Sequence, residues 1–404
     1  RVLPTAKPRA RVAEAFLYLP QTTERQTVRE LVCVPPPDDL LEDRWGNQIA
    51  HFVLGTPAPD QAAHACWMAR VSLRDLKANL DDSAPPPSQA VQEAAGQGYL
   101  GDSLKYVLSA SRIRQQAQEL AGTSGRPEDT AAGIHKYLAA NLVYERLGAH
   151  DDAPKVLARG TGSCSEKAFC WIALARAQQL PARYTGALLC GADYPRYDTV
   201  HHRWTEIFLP RWGWLPVDQC DGEFRSFRVR SDKLQLCWCG ESEPPMNWSY
   251  IARTLGAACD KFVCPATDSA DWKQLVELTA ATFAAHSPAE QRAALSRLQS
   301  AGSPETIPLL QTLLCSGEKD LVARAAARIF ALEPRAGRQI RSCVGSMPAV
   351  WETMCDALAA NVNTYQGERR YGEWVDLFSG RDLTGWTGDL KQFSVADGVV
   401  RNSG

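Results

Sequence analysis

Residues 160–181 read GTGSCSEKAFCWIALARAQQLP, and this stretch decides which fold the sequence predicts. Its glycines permit a tight turn ahead of a helix. Apolar residues then recur at positions i, i+3, i+4 and i+7, namely Ala168, Trp171, Ile172 and Ala175. Pro181 ends the helix, and Cys164 is predicted at its N-terminus. Free backbone N–H groups and the helix dipole favour a thiolate there, so we expect the pKa of Cys164 to lie below the usual value of about 8.5.

Two later segments predict a β-hairpin that carries polar side chains on one face. The first reads VHHRWTEIF at 200–208, and the second reads WLPVD at 214–218, with the turn PRWG between them. Alternation along the first strand places four side chains on one face: His202, Trp204, Glu206 and Phe208. The hairpin brings Asp218 opposite His202 or one diagonal away. A thiol, an imidazole and a carboxylate suit nucleophilic catalysis, because the imidazole takes the thiol proton and the carboxylate orients the imidazole.

Three motifs in this order resemble the transglutaminase-like superfamily, the bacterial branch of the papain-like thiol enzymes. They are Gly-x-Cys-x-Glu at 162–166, His-x-Trp-x-Glu at 202–206 and Trp-x-Pro-Val-Asp at 214–218. The helical segment 131–144 and the phrase Leu-Pro-Ala-Arg-Tyr at 180–184 are similar to that family as well. The resemblance extends over residues 100–225 and implies a papain-like core.

The resemblance also implies a role for three residues. Cys164 is the expected nucleophile, His202 the general base and acid, and Asp218 the group that orients His202. Family members act on amide bonds as cross-linking acyltransferases, peptidases or deamidases, and many need no cofactor, since calcium belongs to the animal branch. We therefore expect a Cys-His-Asp enzyme without a cofactor that acts on a protein or peptide. Both hydrolysis and transfer to lysine use this triad, so the choice between them stays open.

Other residues of the motifs have different predicted roles. Four of them are expected to support the triad or to contact substrate: Gly162, Trp204, Glu206 and Trp214. Glu206 is interpreted as a supporting carboxylate, since it lies on the strand beyond Trp204. His201 is predicted on the opposite face of the strand from His202. Cys170 lies less than two turns after Cys164 and is interpreted as a core residue.

A second group of cysteines, Cys237, Cys239, Cys259 and Cys264, invites a comparison with metal sites. Zinc ligands are usually separated by two to four residues and often include histidine. Here the first gap is a single residue and no histidine is near, so we favour buried thiols or one or two disulfides and predict no metal site. The remaining histidines stand alone in the sequence and are interpreted as structural or surface residues: His51, His64, His135, His150 and His286.

The overall composition excludes several classes of partner. The 404 residues include 44 Lys and Arg against 46 Asp and Glu, a net charge of -2, so no basic field exists for nucleic acid. No window approaches the roughly 18 apolar residues that a membrane-spanning helix needs. The 13 cysteines do not settle the compartment. The sequence begins with Arg1 and ends at Gly404 after a strand-like segment, so we expect a piece of a longer protein, and a leader peptide would lie outside it.

The chain length predicts several domains, and we expect an α+β multidomain protein. Residues 1–82 predict an N-terminal antiparallel β domain, similar to the domain that often precedes this core in bacterial members. A transglutaminase-like catalytic core follows at 95–225, and a connecting region packed on the core at 226–284. Residues 285–365 are rich in Ala, Leu and Arg and predict a short α-solenoid of HEAT-like repeats that could bind a protein partner. The alternative is an irregular helical subdomain, because fewer than three units are visible.

The C-terminal segment 371–404 resembles the truncated start of the jelly-roll domain called 3-keto-disaccharide hydrolase. The residues that carry this resemblance lie at 374–386 and 393–400. About thirty residues cannot close a β-sandwich, so we expect a β stub without a complete sugar site. Because the family is linked to exported carbohydrate metabolism, the resemblance favours an exported or periplasmic location.

The sequence thus predicts thiol-dependent amide-bond chemistry through an acyl-enzyme thioester. Two other functions stay open. In the first, the core is a non-catalytic binding scaffold. In the second, the core is an ancillary module of a carbohydrate-active exported protein. Labelling by a thiol-reactive probe separates the first from an enzyme, and activity of a longer chain on keto-disaccharides would favour the second.

Overall fold

The structure is a computed structural model, and it falls into two compact units, Arg1–Leu358 and Ala359–Gly404. The residues that it describes are 2–4, 13–55, 63–77, 86–121, 125–145, 150–190, 201–220, 228–242, 250–253, 257–259, 271–314, 316, 318–332, 393–396 and 399–402. Strands and helices of the first unit come in runs, with seven described strands first, then mainly helices, then further strands and a last group of helices, as expected for an α+β protein.

The N-terminal segment consists of short strands. They are β1 (Val2–Pro4), β2 (Ala13–Tyr18), β3 (Gln26–Val34), β4 (Asp39–Glu42), β5 (Gln48–Gly55), β6 (Cys66–Leu73) and β7 (Leu76–Lys77). β5 pairs with both β2 and β4, and β3 pairs with β6, in each case antiparallel. Ala13, Ala15 and Tyr18 of β2 are buried, so this strand contributes to the core of the N-terminal segment.

A layer of helices follows and surrounds one buried helix. The elements are α1 (Gln89–Tyr99), α2 (Ser111–Leu120), α3 (Pro127–Asn141), β8 (Val143–Tyr144), α4 (Ala153–Arg159), β9 (Thr161–Gly162) and α5 (Cys164–Ala177). Every residue of α5 from Cys164 to Arg176 is buried, because α2, α3 and α4 cover it on one side and strands on the other. The apolar stripe predicted from the sequence is thus part of a helix that is buried all round.

The strands that cover α5 form the central sheet. They are β10 (Ala182–Leu189), β11 (His201–Leu209), β12 (Gly213–Val217) and β14 (Lys233–Cys239). The short strand β13 (Arg228–Val229) comes between β12 and β14 in the sequence. The sheet order is β12-β11-β10-β14, and β13 pairs with β7 instead. In the β11–β12 hairpin Thr205 lies opposite Val217 and Phe208 opposite Trp214. β14 belongs to the segment predicted as a connecting region, and its pairing with β10 makes that segment a part of the sheet.

The chain then returns to the N-terminal strands. β15 (Tyr250–Arg253) pairs with β2, and β16 (Ala257–Cys259) pairs with β1. The four-stranded N-terminal sheet therefore has the order β15-β2-β5-β4 and contains a strand from far along the sequence.

Helices with a core of their own close the described part of the first unit. They are α6 (Trp272–Phe283), α7 (Pro288–Ala301), a 3-10 turn (Pro304–Thr306), α8 (Ile307–Leu313) and α9 (Lys319–Leu332). Leu295, Leu298, Leu310 and Ile329 are among the fully buried residues of that core. Residues 333–365 lie outside the described residues, and the HEAT-like repeat stays a prediction.

Two strands are described in the C-terminal unit. β17 (Phe393–Ala396) and β18 (Val399–Asn402) pair antiparallel, with Val395 opposite Val400. Most of the segment that resembles a jelly-roll domain, including 374–386, lies outside the described residues. Among the helices that the structure describes, none is both long and apolar enough to cross a membrane.

Candidate active site

The N-terminus of α5 is held by a capping box that the sequence analysis did not identify. Ser163 is the N-cap, and its backbone N–H donates to Oε2 of Glu166 at 2.8 Å, while the Glu166 N–H donates to Oγ of Ser163 at 3.5 Å. Oε1 of Glu166 accepts from the Asp151 N–H at 3.1 Å and from Nη2 of Arg159 at 2.9 Å. The Ser-x-x-Glu spacing at 163–166 would have revealed this cap. The cap sets where the helix begins, and so places Cys164 as its first residue.

The environment of Glu166 keeps its carboxylate ionised although the side chain is fully buried. Burial alone would raise the pKa of Glu166. The N–H groups of Ser163 and Asp151 and the Arg159 guanidinium outweigh that effect, so the pKa lies below its ordinary value. Glu166 of the Gly-x-Cys-x-Glu motif therefore builds the helix start.

We expect Glu166→Gln to lower the free energy of unfolding by about 2 kcal/mol, because it weakens several bonds to a buried anion. Chemical denaturation measures the loss. The native contribution is complete above the unfolded pKa of about 4.3 and disappears as pH falls through the lower folded value. Glu290→Gln is the matched control, since Glu290 caps the exposed start of α7, and its loss should be smaller. Equal losses from both variants would contradict this role.

Gly162 lies where a side chain would be crowded. A Cβ at this position would meet Val156 Cγ1 at 3.0 Å and Glu166 Cβ at 3.1 Å. The same residue lies opposite Tyr144 in the parallel β8–β9 pair, and its carbonyl accepts from the Glu145 N–H at 3.0 Å. The glycine of the motif thus allows β9 to run tightly against the first turn of α5.

The structure brings the three predicted triad residues together. Nε2 of His202 lies 2.7 Å from Oδ2 of Asp218, and the Cys164 thiol hydrogen bonds to the His202 imidazole. Asp218 follows β12 by one residue and is diagonal to His202 across the hairpin, since Thr205 faces Val217. The Asp218 side chain is fully buried, the His202 side chain is 12% exposed, and Cys164 is 9% exposed. Because Nε2 of His202 contacts the Asp218 carboxylate, Nδ1 is the ring nitrogen that is left to bond the Cys164 thiol.

These contacts shift the pKa values of all three groups toward their charged forms. Burial opposes charge in each case. The hydrogen bond to His202, the Arg203 guanidinium and the Arg203 backbone N–H nevertheless lower the pKa of Cys164. Asp218 and Cys164 raise the pKa of His202 to about 9, and His202 and Lys233 lower the pKa of Asp218. The geometry thus favours a thiolate–imidazolium pair beside an ionised carboxylate.

Two residues outside the predicted set also contact this site. Nε2 of Gln219 donates to the carbonyl of Cys164 at 2.9 Å and to the carbonyl of Arg203 at 3.4 Å, so one buried amide links α5 to β11. Nζ of Lys233 lies 3.2 Å from Oδ2 of Asp218. The first contact joins segments that are distant in sequence, the second depends on how β14 pairs in the sheet, and no local pattern identifies either of them.

Trp204 packs beneath the site. It is completely buried in a cluster with Ala187 and Val229, and its ring centroid lies 6.4 Å from that of His202. The Arg25 guanidinium lies 5.3 Å from the Trp204 ring centroid, a cation–π distance. Trp204 therefore supports the strand that carries His202.

Glu206 and Trp214 lie together farther along the hairpin. Nε and Nη2 of Arg183 lie 2.7 and 2.6 Å from Oε2 of Glu206. The Arg183 guanidinium lies 4.1 Å from the Trp214 ring centroid, and Trp214 packs edge-on against Tyr99. These contacts join β10, β11, β12 and α1, and Glu206 is ion-paired to Arg183 within them.

Six other thiols have the opposite electrostatic character. Burial raises the pKa of each of them: Cys33, Cys66, Cys170, Cys190, Cys237 and Cys239. Cys170 is fully buried and donates to the Ala153 carbonyl at 3.6 Å. Cys237 and Cys239 are buried thiols, as predicted for the second cysteine group, while Cys264 lies outside the described residues. Within the described part of the chain, no group of three or more His, Cys, Asp or Glu side chains could hold a metal ion.

Comparison with known proteins finds a family match over part of this chain. Residues 114–219 match the family model of the transglutaminase-like superfamily. A candidate cysteine protease from Cytophaga hutchinsonii is 15% identical, with 64% of this chain and 89% of that chain covered and a TM-score of 0.43. The periplasmic domain of TgpA from Pseudomonas aeruginosa, bound to ethylmercury, is 16% identical, with 54% and 92% covered and a TM-score of 0.30. Comparison with curated proteins found no match. Residues 114–219 are thus a transglutaminase-like domain.

Proposed function

We propose that this protein acts on amide bonds through a thioester on Cys164. The observation that carries the proposal is the chain of contacts from the Cys164 thiol to the His202 ring and from its Nε2 to Asp218 at 2.7 Å. The match of residues 114–219 to the transglutaminase-like superfamily supports thiol-dependent amide chemistry in general. Cys164 is the nucleophile in this proposal, His202 the acid and base, and Asp218 the orienting carboxylate.

The first half of the reaction forms the thioester. The Cys164 thiolate attacks the amide carbonyl carbon, and the N–H groups at the start of α5 stabilise the oxyanion. The His202 imidazolium then gives its proton to the leaving nitrogen as the C–N bond breaks. An imidazolium with a raised pKa is still acidic enough to protonate an amine that departs from a tetrahedral carbon.

The second half of the reaction releases the acyl group. Neutral His202 takes a proton from the acceptor, which attacks the thioester carbonyl, and the C–S bond breaks to return the thiolate. Water as acceptor gives hydrolysis or deamidation, and a lysine amine gives a cross-link. We propose a protein or peptide substrate and no cofactor.

A glutamine-bearing peptide library tests this function directly. Hydrolysis is measured by mass spectrometry, and amine transfer by incorporation of a labelled primary amine, with the Cys164→Ala variant as control. Cys164-dependent turnover, by hydrolysis or by amine transfer, supports the proposal. A protein that neither reacts with a thiol probe nor turns over any peptide would be a binding scaffold instead.

We expect Asp218→Asn to lower kcat by about 10²- to 10³-fold, less than the loss of Cys164. The carboxylate transfers no proton, and an amide of the same shape keeps part of the contact to Nε2. The amide lacks the charge that stabilises the imidazolium, so the pKa of His202 should fall from about 9. As pH is raised, the variant should therefore begin to lose activity at a lower pH than the native protein does. An unchanged basic limb in the pH–rate profile would contradict this role.

The flanking segments are proposed to serve the same reaction. We propose that the helices of 285–365 are HEAT-like and present a surface to a protein partner, since α6 to α9 have a core of their own. We also propose that 371–404 begins an exported jelly-roll domain. Limited proteolysis with and without candidate partners tests the first of these assignments.

A further inference from the structure

We propose that Lys233 is a positioning residue of this site, whose ammonium group holds the Asp218 carboxylate in its ionised form and limits how tightly that carboxylate holds His202. Nζ of Lys233 lies 3.2 Å from Oδ2 of Asp218, and the same oxygen accepts from His202 Nε2 at 2.7 Å. The inference rests on the proposed function of the triad and assigns it a fourth charged member.

The burial of the pair is the first argument. The Lys233 side chain is 4% exposed and the Asp218 side chain 0%. A lysine almost never occupies such a position unless it is paired, because desolvation of an ammonium group is costly. Oδ1 of Asp218 accepts only from the main chain in the contacts described, from the Cys220 N–H at 3.0 Å, so Lys233 and His202 are the charged groups on Oδ2.

The charge balance of the site is the second argument. A thiolate, an imidazolium and a carboxylate together carry one excess negative charge, and the Lys233 ammonium neutralises it inside a buried region. Asp232 lies 3.3 Å from Nζ of Lys233 and is 30% exposed, so solvent screens its charge more. Other titratable or charged groups interact electrostatically with this region: Arg25 and Cys190 with Asp232, His135 with Asp218, Lys167 with His135, and Arg203 with Cys164.

The shared oxygen has a chemical consequence. Because Lys233 takes part of the electron density on Oδ2, the carboxylate stabilises the imidazolium less than it would alone. A less stabilised imidazolium is a stronger acid and protonates a leaving amine faster. Lys233 thus keeps Asp218 ionised and keeps His202 acidic, two effects that a neutral residue of the same length cannot supply.

The test follows the alkylation of Cys164 by iodoacetamide across pH, read by mass spectrometry of the peptide that contains Cys164. Removal of a positive charge raises the pKa of every nearby acid, so Lys233→Met should move the alkylation inflection upward by about one pH unit. Lys233→Arg keeps the charge and should leave the inflection within a few tenths of a unit of the native one. A structural role would lower the reactivity of both variants without moving the inflection.

Lys167→Met is the matched control. Lys167 is also a buried lysine of the same core, but its Nζ donates to the Leu142 carbonyl at 3.2 Å and not to Asp218. Its removal should move the inflection less than Lys233→Met does. Circular dichroism establishes whether each variant is folded. If Lys233→Met does not fold, the alkylation inflection of Lys233→Gln is measured instead, and the same shift is expected.

Three results would overturn the inference: an unmoved inflection in a folded Lys233→Met or Lys233→Gln variant, an equal shift in Lys233→Arg, or an equal shift in Lys167→Met. Alkylation needs no amide substrate, so its outcome is independent of whether peptide turnover is found. An inflection that shifts as expected in a protein without turnover would refute the proposed reaction and leave the Lys233 assignment intact.

Discussion

Cys164→Ala will reduce turnover of any amide substrate by about 10⁴-fold or more, because it removes the atom that forms the thioester. The substitution deletes one sulfur atom from a residue that is 9% exposed, so the fold should persist. Turnover of the peptide library and thermal unfolding of the purified variant measure the two effects separately. Loss of activity with an unchanged melting temperature is the expected result.

Cys170→Ala is the control for this prediction. Cys170 lies on the same helix, but burial raises the pKa of its thiol, whereas the contacts with His202 and Arg203 lower that of Cys164. Iodoacetamide should therefore modify Cys164 first in the native protein, and the Cys170 variant should keep its activity. Modification of Cys170 or Cys220 ahead of Cys164 would show that the nucleophile has been assigned to the wrong residue.

His202→Ala should lower kcat by about 10³- to 10⁴-fold, because one side chain supplies both the acid and the base. His201→Ala is the control, since His201 is adjacent in sequence but has no place in the three motifs, and its loss should be far smaller. The comparison is between the kcat values of the His202→Ala and His201→Ala variants, measured at saturating substrate. Equal losses would mean that the strand alternation argued from the sequence is wrong.

The His202 variant should also change the thiol itself. His202 is the largest favourable influence on the Cys164 thiolate, and its removal takes away both a hydrogen bond and a positive charge. The pKa of Cys164 should therefore rise, and alkylation at neutral pH should slow. An alkylation profile identical to that of the native protein would mean that Cys164 and His202 do not form an ion pair.

Local patterns in the sequence predicted the elements that carry Cys164, His202 and Asp218. The turn at 160–163 and the apolar spacing after it predicted α5. The PRWG turn predicted that Asp218 returns to His202, and in the structure Oδ2 of Asp218 lies 2.7 Å from Nε2 of His202. The capping box of Ser163 and Glu166 is equally local, since its two residues are three apart in the sequence. These features depend on neighbours within about twenty residues, which is the range over which turn and periodicity arguments hold.

Contacts that depend on strand pairing or on distant segments could not be predicted in this way. Lys233 is close to Asp218 in the sequence, but it contacts Asp218 because β14 pairs with β10, and no turn or periodicity pattern in residues 233–239 predicts that pairing. Gln219 reaches Cys164 across 55 residues of sequence. Arg203 lies next to His202 in the sequence, yet its effect on the thiol depends on how β11 packs against α5. The roles of these residues become visible only once the sheet is assembled.

The return of the chain to its earlier strands has a consequence for synthesis on the ribosome. β10 lacks β14 until residues 233–239 have emerged, and β2 lacks β15 until residues 250–253 have emerged. Until then each nascent sheet presents an open edge, which is a template for mispairing with other chains. A chain cut at the limits of the family match, 114–219, would keep such an edge permanently and would also lose Lys233. A piece that keeps all the pairings of these two sheets begins at β2 and extends to β15, beyond both limits of the family match.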